Sequence, residues 1–256
     1  MRFLHTADWH LGRLFYGTSL IEEQARLLDQ LVNLAMERDI QAFLIAGDLY
    51  DRSVPPADAV RLFDSFLTRM AAARIPVIAI AGNHDSPDRV GFGAQLMRDR
   101  GIHLSGRLDV AEKIENHSLE LEDEHGPLHI YSLPFAEPAW VREHLGRDDL
   151  RSHESSMAAL LDLFRSQHPP GTRSLLLAHA FVGGSSEEAQ ETESERPLSV
   201  GGTDFIDATV FQGFDYVALG HLHRPQRAGG DHSVSSSDRS DGPRDVVGGR
   251  VLEQEP

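Results

Sequence analysis

Apolar residues recur along the first half of the chain with two periods that take turns. Residues 2–7 and 76–81 read as short strands, and 42–46 is a wholly apolar run, which suits a strand covered on both faces. Between them, residues 22–39 carry Ala25, Leu28, Val32, Ala35 and Met36 at three- and four-residue spacing, and residues 57–73 follow Pro55 and Pro56 with a similar pattern. Both segments predict helices. Strand and helix in alternation predict a parallel α/β sheet. From residue 102 to 133 the texture changes, and the alternating runs 117–121 and 128–133 predict antiparallel strands of a second sheet. Helices are expected over 138–145 and 152–167, then apolar strands over 174–178 and 216–219.

Two stretches lack core-forming residues. Residues 183–196 carry Glu187, Glu188, Glu191, Glu193 and Glu195 with no aliphatic side chain larger than alanine, which predicts a mobile acidic loop. Residues 229–245 contain Val234 as their one large aliphatic residue. The expected organisation is therefore an enzyme domain over 1–228 and a divergent, disordered tail over 229–256.

Composition narrows the chemistry. The 256 residues are 40% hydrophobic and 25% charged, values of an ordinary globular protein with an ample core. No run approaches the roughly 20 apolar residues of a membrane span, and no secretory signal opens the chain, so a cytoplasmic location is expected. There is no cysteine, so any metal must be held by nitrogen and oxygen, which gives the 14 histidines weight. A net charge of -16 argues against nucleic-acid binding through a basic face of the chain's own. Divalent cations, or a basic partner subunit, would reverse the local field.

Every cluster of ligand-type residues follows an apolar run: Asp8 and His10, Gly47 with Asp48, the GNHD block at 82–85, His179, and His221 with His223. In parallel α/β folds that is the strand end where ligands bind. Asp8 and His10 stand two apart, as do His221 and His223, so each pair shares a face of extended chain. Carboxylates and imidazoles without thiols suit Mn²⁺, Fe²⁺ or Zn²⁺. Two such ions about 3.5 to 4 Å apart hydrolyse phosphoesters by activating a water for in-line attack. Asp48 is the natural bridge, since a carboxylate offers two oxygens and Gly47 permits a sharp turn. His84 is the candidate to protonate the leaving oxygen or stabilise the transition state.

Asp-x-His, Gly-Asp, Gly-Asn-His-Asp, a lone His and Gly-His-x-His stand here in that order, and the chain thereby resembles the calcineurin-like metallophosphoesterases. The runs FLHTADWHLG (3–12), AGDLYD (46–51), ERPLSVGG (195–202) and YVALGHLHRPQ (216–226) look like the SbcD-type nucleases within that superfamily. The resemblance covers residues 1–228 and implies an α/β fold, a two-sheet sandwich flanked by helices. It further implies two Mn²⁺ ions, with Mg²⁺, Fe²⁺ or Zn²⁺ as substitutes. Asp8, His10, Asp48 and His223 would hold one ion, and Asp48, Asn83, His179 and His221 the other, with His84 acting on the phosphate. Also implied are a DNA substrate cut as duplex ends, single strands and hairpins in DNA repair and recombination, a homodimer, and an SbcC-like ATPase partner. A small-substrate phosphodiesterase and a non-catalytic remnant remain as alternatives.

The chain departs from that family after Ala228, where a strand region with Tyr-Ser-Gly-Ser-Pro, a capping domain and an ATPase-docking segment are not recognisable. The expectation is an exposed sheet edge and lowered stability. Other residues carry plainer expectations. His5 inside the first strand should be packed, and Trp9 should lie beneath the site. Asp85 should either orient His84 from behind or cap the helix after Ser86. Asp51 is not expected to be catalytic, Arg52 and Arg89 are weaker candidates for contact with a DNA backbone, and the remaining histidines are ordinary.

Overall fold

Apolar runs with no polar face have to be covered on both sides, and the chain meets that demand with two stacked sheets. The computed structural model describes residues 1–108, 117–183 and 205–221, together with the backbone of strands at 226–227, 234–236 and 252–254. In chain order the first half comprises β1 (Phe3–Thr6), the hairpin β2 (Leu14–Phe15) and β3 (Thr18–Ser19), α1 (Ile21–Glu37), β4 (Ala42–Ala46), α2 (Ala57–Ala73) and β5 (Val77–Ile80). The short helices α3 (Pro87–Val90) and α4 (Ala94–Met97) and then β6 (Ile102–Ser105) complete it. The second half runs β7 (Ser118–Asp123), β8 (Gly126–Leu133), α5 (Pro138–Leu145), α6 (His153–Gln167), β9 (Arg173–His179), β10 (Val182–Gly183), β11 (Ile206–Asp207) and β12 (Tyr216–Gly220). Short strands β13 (Gln226–Arg227), β14 (Val234–Ser236) and β15 (Leu252–Gln254) follow.

One sheet has the order β15-β1-β4-β5-β6, with β1, β4, β5 and β6 parallel. The other has the order β13-β14-β12-β9-β8-β7, with β8, β9, β12 and β14 parallel and the outer strands β7 and β13 antiparallel. Phe3, Leu44, Ile78 and Ile80 of the first sheet meet Ile130, Leu175, Leu177 and Tyr216 of the second in a buried layer. The outer face of the first sheet is covered by the apolar stripes of α1 (Leu28, Leu31, Val32, Ala35) and α2 (Phe63, Phe66, Leu67, Met70). Helix α6 covers the second sheet with Leu160, Leu161 and Phe164. The fold is thus the expected α/β sandwich flanked by helices.

Trp9 is buried against Phe43, Phe63 and Phe66 at ring separations of 6.2, 6.1 and 4.9 Å, and its indole donates to Thr6 Oγ1 at 2.8 Å. It is a floor, as expected. His5 is buried too, with Nδ1 3.3 Å from the Tyr216 hydroxyl. The expected tail differs in part: Val234–Ser236 and Leu252–Gln254 are strands on the open edges of β12 and β1. They include the branched residues Val234 and Leu252, and an unpaired sheet edge is a ready template for any such segment. The remainder of residues 229–256 and the acidic stretch over 184–204 lie outside the described residues.

At the far end of the second sheet, Asp123 receives both guanidinium arms of Arg173 at 3.2 and 2.5 Å, the Met1 ammonium and the His125 amide. The Arg173 bonds, then the ammonium, hold its carboxyl well below the ordinary value of 3.8. A folded-state pKa lowered in this way contributes stability that is fully present above the ordinary value and lost progressively as pH falls from there toward the lowered folded-state value. Asp123→Asn should therefore lower the melting temperature at neutral pH, with the gap from wild type closing below about pH 4. Thermal melts across pH would show it; a gap unchanged in acid would assign the loss to packing.

Candidate metal centre

The parallel strands of both sheets end on one rim, and the chain turns sharply as it leaves each. Past β1 come Asp8 and His10, past β4 Asp48, and past β5 Asn83 and His84; His179 ends β9 and His221 follows β12. His223 lies outside the described residues. Four of these residues take a left-handed backbone: Asp8 (φ 56°), His10 (φ 44°), Asp48 (φ 51°) and His221 (φ 102°). That region is costly for any residue with a Cβ, and strain of this kind collects where geometry matters more than comfort.

Two glycines allow the rim to close. Gly47 is left-handed, and a Cβ there would lie 2.2 Å from His179 Nδ1. At Gly220 a Cβ would lie 1.9 Å from the Ala46 carbonyl oxygen and 2.9 Å from His179 Nδ1. The sheets therefore touch through bare backbone beside His179. The glycine of each motif makes room for a ligand that comes from another motif.

Asp48 is the hub. Its Oδ1 accepts from the His84 amide at 2.9 Å, and its Oδ2 lies 3.7 Å from His10 Nε2 and 3.5 Å from His179 Nε2. Asn83 Oδ1 stands 2.9 Å from His179 Nε2 and 3.1 Å from His221 Nδ1. Both carboxylate oxygens of Asp8 accept from the His221 amide, at 3.0 and 3.1 Å. His179 Nδ1 donates to the Ala46 carbonyl at 2.8 Å, which fixes the tautomer and leaves Nε2 with its lone pair toward Asp48 and Asn83. His84 Nδ1 likewise donates to the Asp51 carbonyl at 2.9 Å, leaving Nε2 for chemistry, and its ring sits edge-on 4.7 Å from that of His10.

Ligand atoms of His10, Asp48 and His84 lie within 4.8 Å of one another, as do those of Asp8, Asp48 and His179. Asp48 belongs to both groups, the position a bridging carboxylate needs. Oxygen and imidazole donors brought this close fit divalent cations, which would relieve the crowding of two carboxylates.

Asp85 serves neither expected purpose. It is buried and accepts from the amides of Gly82 (2.9 Å), Tyr50 (2.9 Å) and Leu49 (3.0 Å), while α3 is preceded by Ser86 without a side-chain cap. It ties the loop after β4 to the loop after β5. Burial, and then the charge of Asp48, pushes its carboxyl up to about 7 against those three amides. The tie and the Asp51 carbonyl were missed from sequence; the available signal was an acid caught between apolar runs, which must find backbone donors. Asp51 itself reaches His10, with Oδ1 3.8 Å from Nδ1. Arg52 and Arg89 are exposed.

Two carboxylates, an amide oxygen and a ring of imidazoles around a shared aspartate define a metal-dependent hydrolase of the two-ion class. Residues 1–225 match the family described as Calcineurin-like phosphoesterase, and the chain belongs to that family. It is a metallophosphoesterase with candidate metal-binding residues. Solved structures similar to it include a dimetal phosphatase from Danio rerio, at 15% identity and TM-score 0.49 over 91% of this chain and 84% of that one. Another is TT1561 of Thermus thermophilus, at 14% identity and TM-score 0.43 over 75% of this chain and 73% of that one. Among the described residues no helix is long and apolar enough to cross a membrane.

Proposed function

We propose that this chain is a manganese-dependent DNA nuclease of the SbcD type, acting in the cytoplasm beside an SbcC-like ATPase in DNA repair and recombination. What carries the reading is that the segments flanking the metal centre, FLHTADWHLG, AGDLYD and YVALGHLHRPQ, resemble those nucleases beyond the ligands themselves. Asp8, His10, Asp48 and His223 would hold one ion, and Asp48, Asn83, His179 and His221 the other. The ions supply an activated water and neutralise charge on the phosphoryl oxygens. The chain's own work is to set their ligands and to place a proton. His84, anchored through Nδ1 to the Asp51 carbonyl, presents Nε2 to the leaving oxygen. A homodimer is part of the proposal.

The test is cleavage of single-stranded and hairpin DNA by the purified chain with manganese or with chelator, beside His84→Ala. Manganese-dependent cleavage that falls on the order of a hundredfold in the variant supports the reading. The chain's charge of -16 favours a second reading, a small-substrate phosphodiesterase. Hydrolysis of bis-p-nitrophenyl phosphate with no DNA substrate cut would select it.

A further inference from the structure

We infer that the hairpin of β2 and β3 is a base-stacking platform for the DNA strand entering the metal centre, with Phe15 and Tyr16 as the stacking surface and Arg13 and Arg52 on the flanking phosphates. The inference rests on the nuclease reading above and names a strand-binding surface for it.

The hairpin begins four residues after His10, and its root is fixed to the site. The Gln24 side chain donates to the carbonyls of Trp9 (3.1 Å) and His10 (2.9 Å) and accepts from the Gly12 amide at 2.9 Å. The Arg13 amide donates to the His10 carbonyl at 3.0 Å, and Leu20 closes the base by donating to the Arg13 carbonyl at 3.1 Å. Phe15 pairs with Thr18 across a two-residue turn in which Tyr16 (φ 48°) and Gly17 (φ 81°) are both left-handed. That is the turn whose twist suits a tight hairpin, but it ordinarily takes Asn or Asp at its first position, and a bulky aromatic there is strained.

The strained position carries a side chain that is 93% exposed, beside Phe15 at 59% and Leu14 at 50%. The two rings lie 4.6 Å apart, edge to face. Three consecutive large apolar side chains held out in water on this hairpin contribute nothing to the core. They offer flat apolar faces to a ligand.

Charge selects the kind of ligand. In a chain this acidic, carboxylates take up Arg26, Arg61, Arg69, Arg147, Arg165 and Arg173. Arg13 and Arg52 have no carboxylate or other side-chain partner among the described residues. The two leave neighbouring segments, since Leu11 bridges Tyr50 and the Asp51 amide donates to the Leu11 carbonyl at 3.2 Å. Arg13 and Arg52, on neighbouring segments that lead from the rim to the exposed rings, match a strand that is both anionic and aromatic.

The test is fluorescence anisotropy of a labelled thymidine oligonucleotide and of the same backbone without bases, in chelator so that nothing is cut. Wild type should bind the base-bearing strand about tenfold more tightly, and Phe15→Ala/Tyr16→Ala should erase that preference while melting like wild type. Tyr16→Trp should restore it, with indole fluorescence quenched by the base-bearing strand alone. An unchanged preference in the double variant, or a changed oligomeric state with unchanged affinity, overturns the inference and assigns the hairpin to protein contact. A wild-type chain that cleaves DNA yet shows no preference for bases sinks the platform alone. One that neither binds nor cleaves DNA sinks the nuclease reading with it.

Discussion

Asp48→Asn should abolish binding of both ions and lower phosphoesterase activity by at least on the order of a thousandfold, while the metal-free protein melts no lower than wild type. The substitution keeps the shape and the acceptor for the His84 amide, but removes the charge and the second oxygen shared between the two ligand groups. No other described residue belongs to both groups. Fold retention follows from the electrostatics: the charge of Asp48 helps push Asp85 up to about 7, so removing it relieves two buried carboxylates of each other. Asparagine also tolerates the left-handed backbone better than most residues. Metal titration with melting as the readout separates the terms, because ions that bind only the folded state raise the melting temperature of wild type and should not raise that of the variant. A variant that takes up both ions and keeps activity within about tenfold would remove Asp48 from the hub.

Gly220→Ala should be strongly destabilising for a single-methyl change, costing about 3 kcal/mol or more. The added carbon would lie 1.9 Å from the Ala46 carbonyl oxygen and 3.0 Å from its carbon, both backbone atoms of the facing sheet. Neither can swing aside as a side-chain tip could. The same carbonyl accepts from His179 Nδ1, so separating the sheets also frees the imidazole that faces Asp48 and Asn83. Denaturant unfolding with and without manganese should show both losses, stability and ion affinity, from one methyl group. A variant with wild-type stability would mean that the sheets can part at no cost.

Much of this was legible in the sequence because the sandwich buries its strands on both faces. Residues 42–46 and 138–145 read as the strand and helix that they are, and the expected strand at 76–81 differs from β5 by a residue at each end. The ligand residues were legible too, since polar side chains directly after apolar runs stand out. Two things were not. The hairpin of β2 and β3 buries nothing, so hydrophobic periodicity carries no trace of it. The Asp85 tie consists of side-chain bonds to backbone amides of a loop over 30 residues distant in sequence, and no spacing rule reports such a contact.

The left-handed turns at Asp8, His10, Asp48 and His221 bear on how the chain would respond to laboratory selection. Each withholds about 1 to 2 kcal/mol that a glycine would return. A library of variants chosen only for surviving heat would accordingly drift toward glycine or asparagine at these positions, and the hardiest survivors would be inert toward phosphoesters. Heat tolerance and turnover draw on the same four backbone angles, so a screen meant to improve one has to score the other in every round.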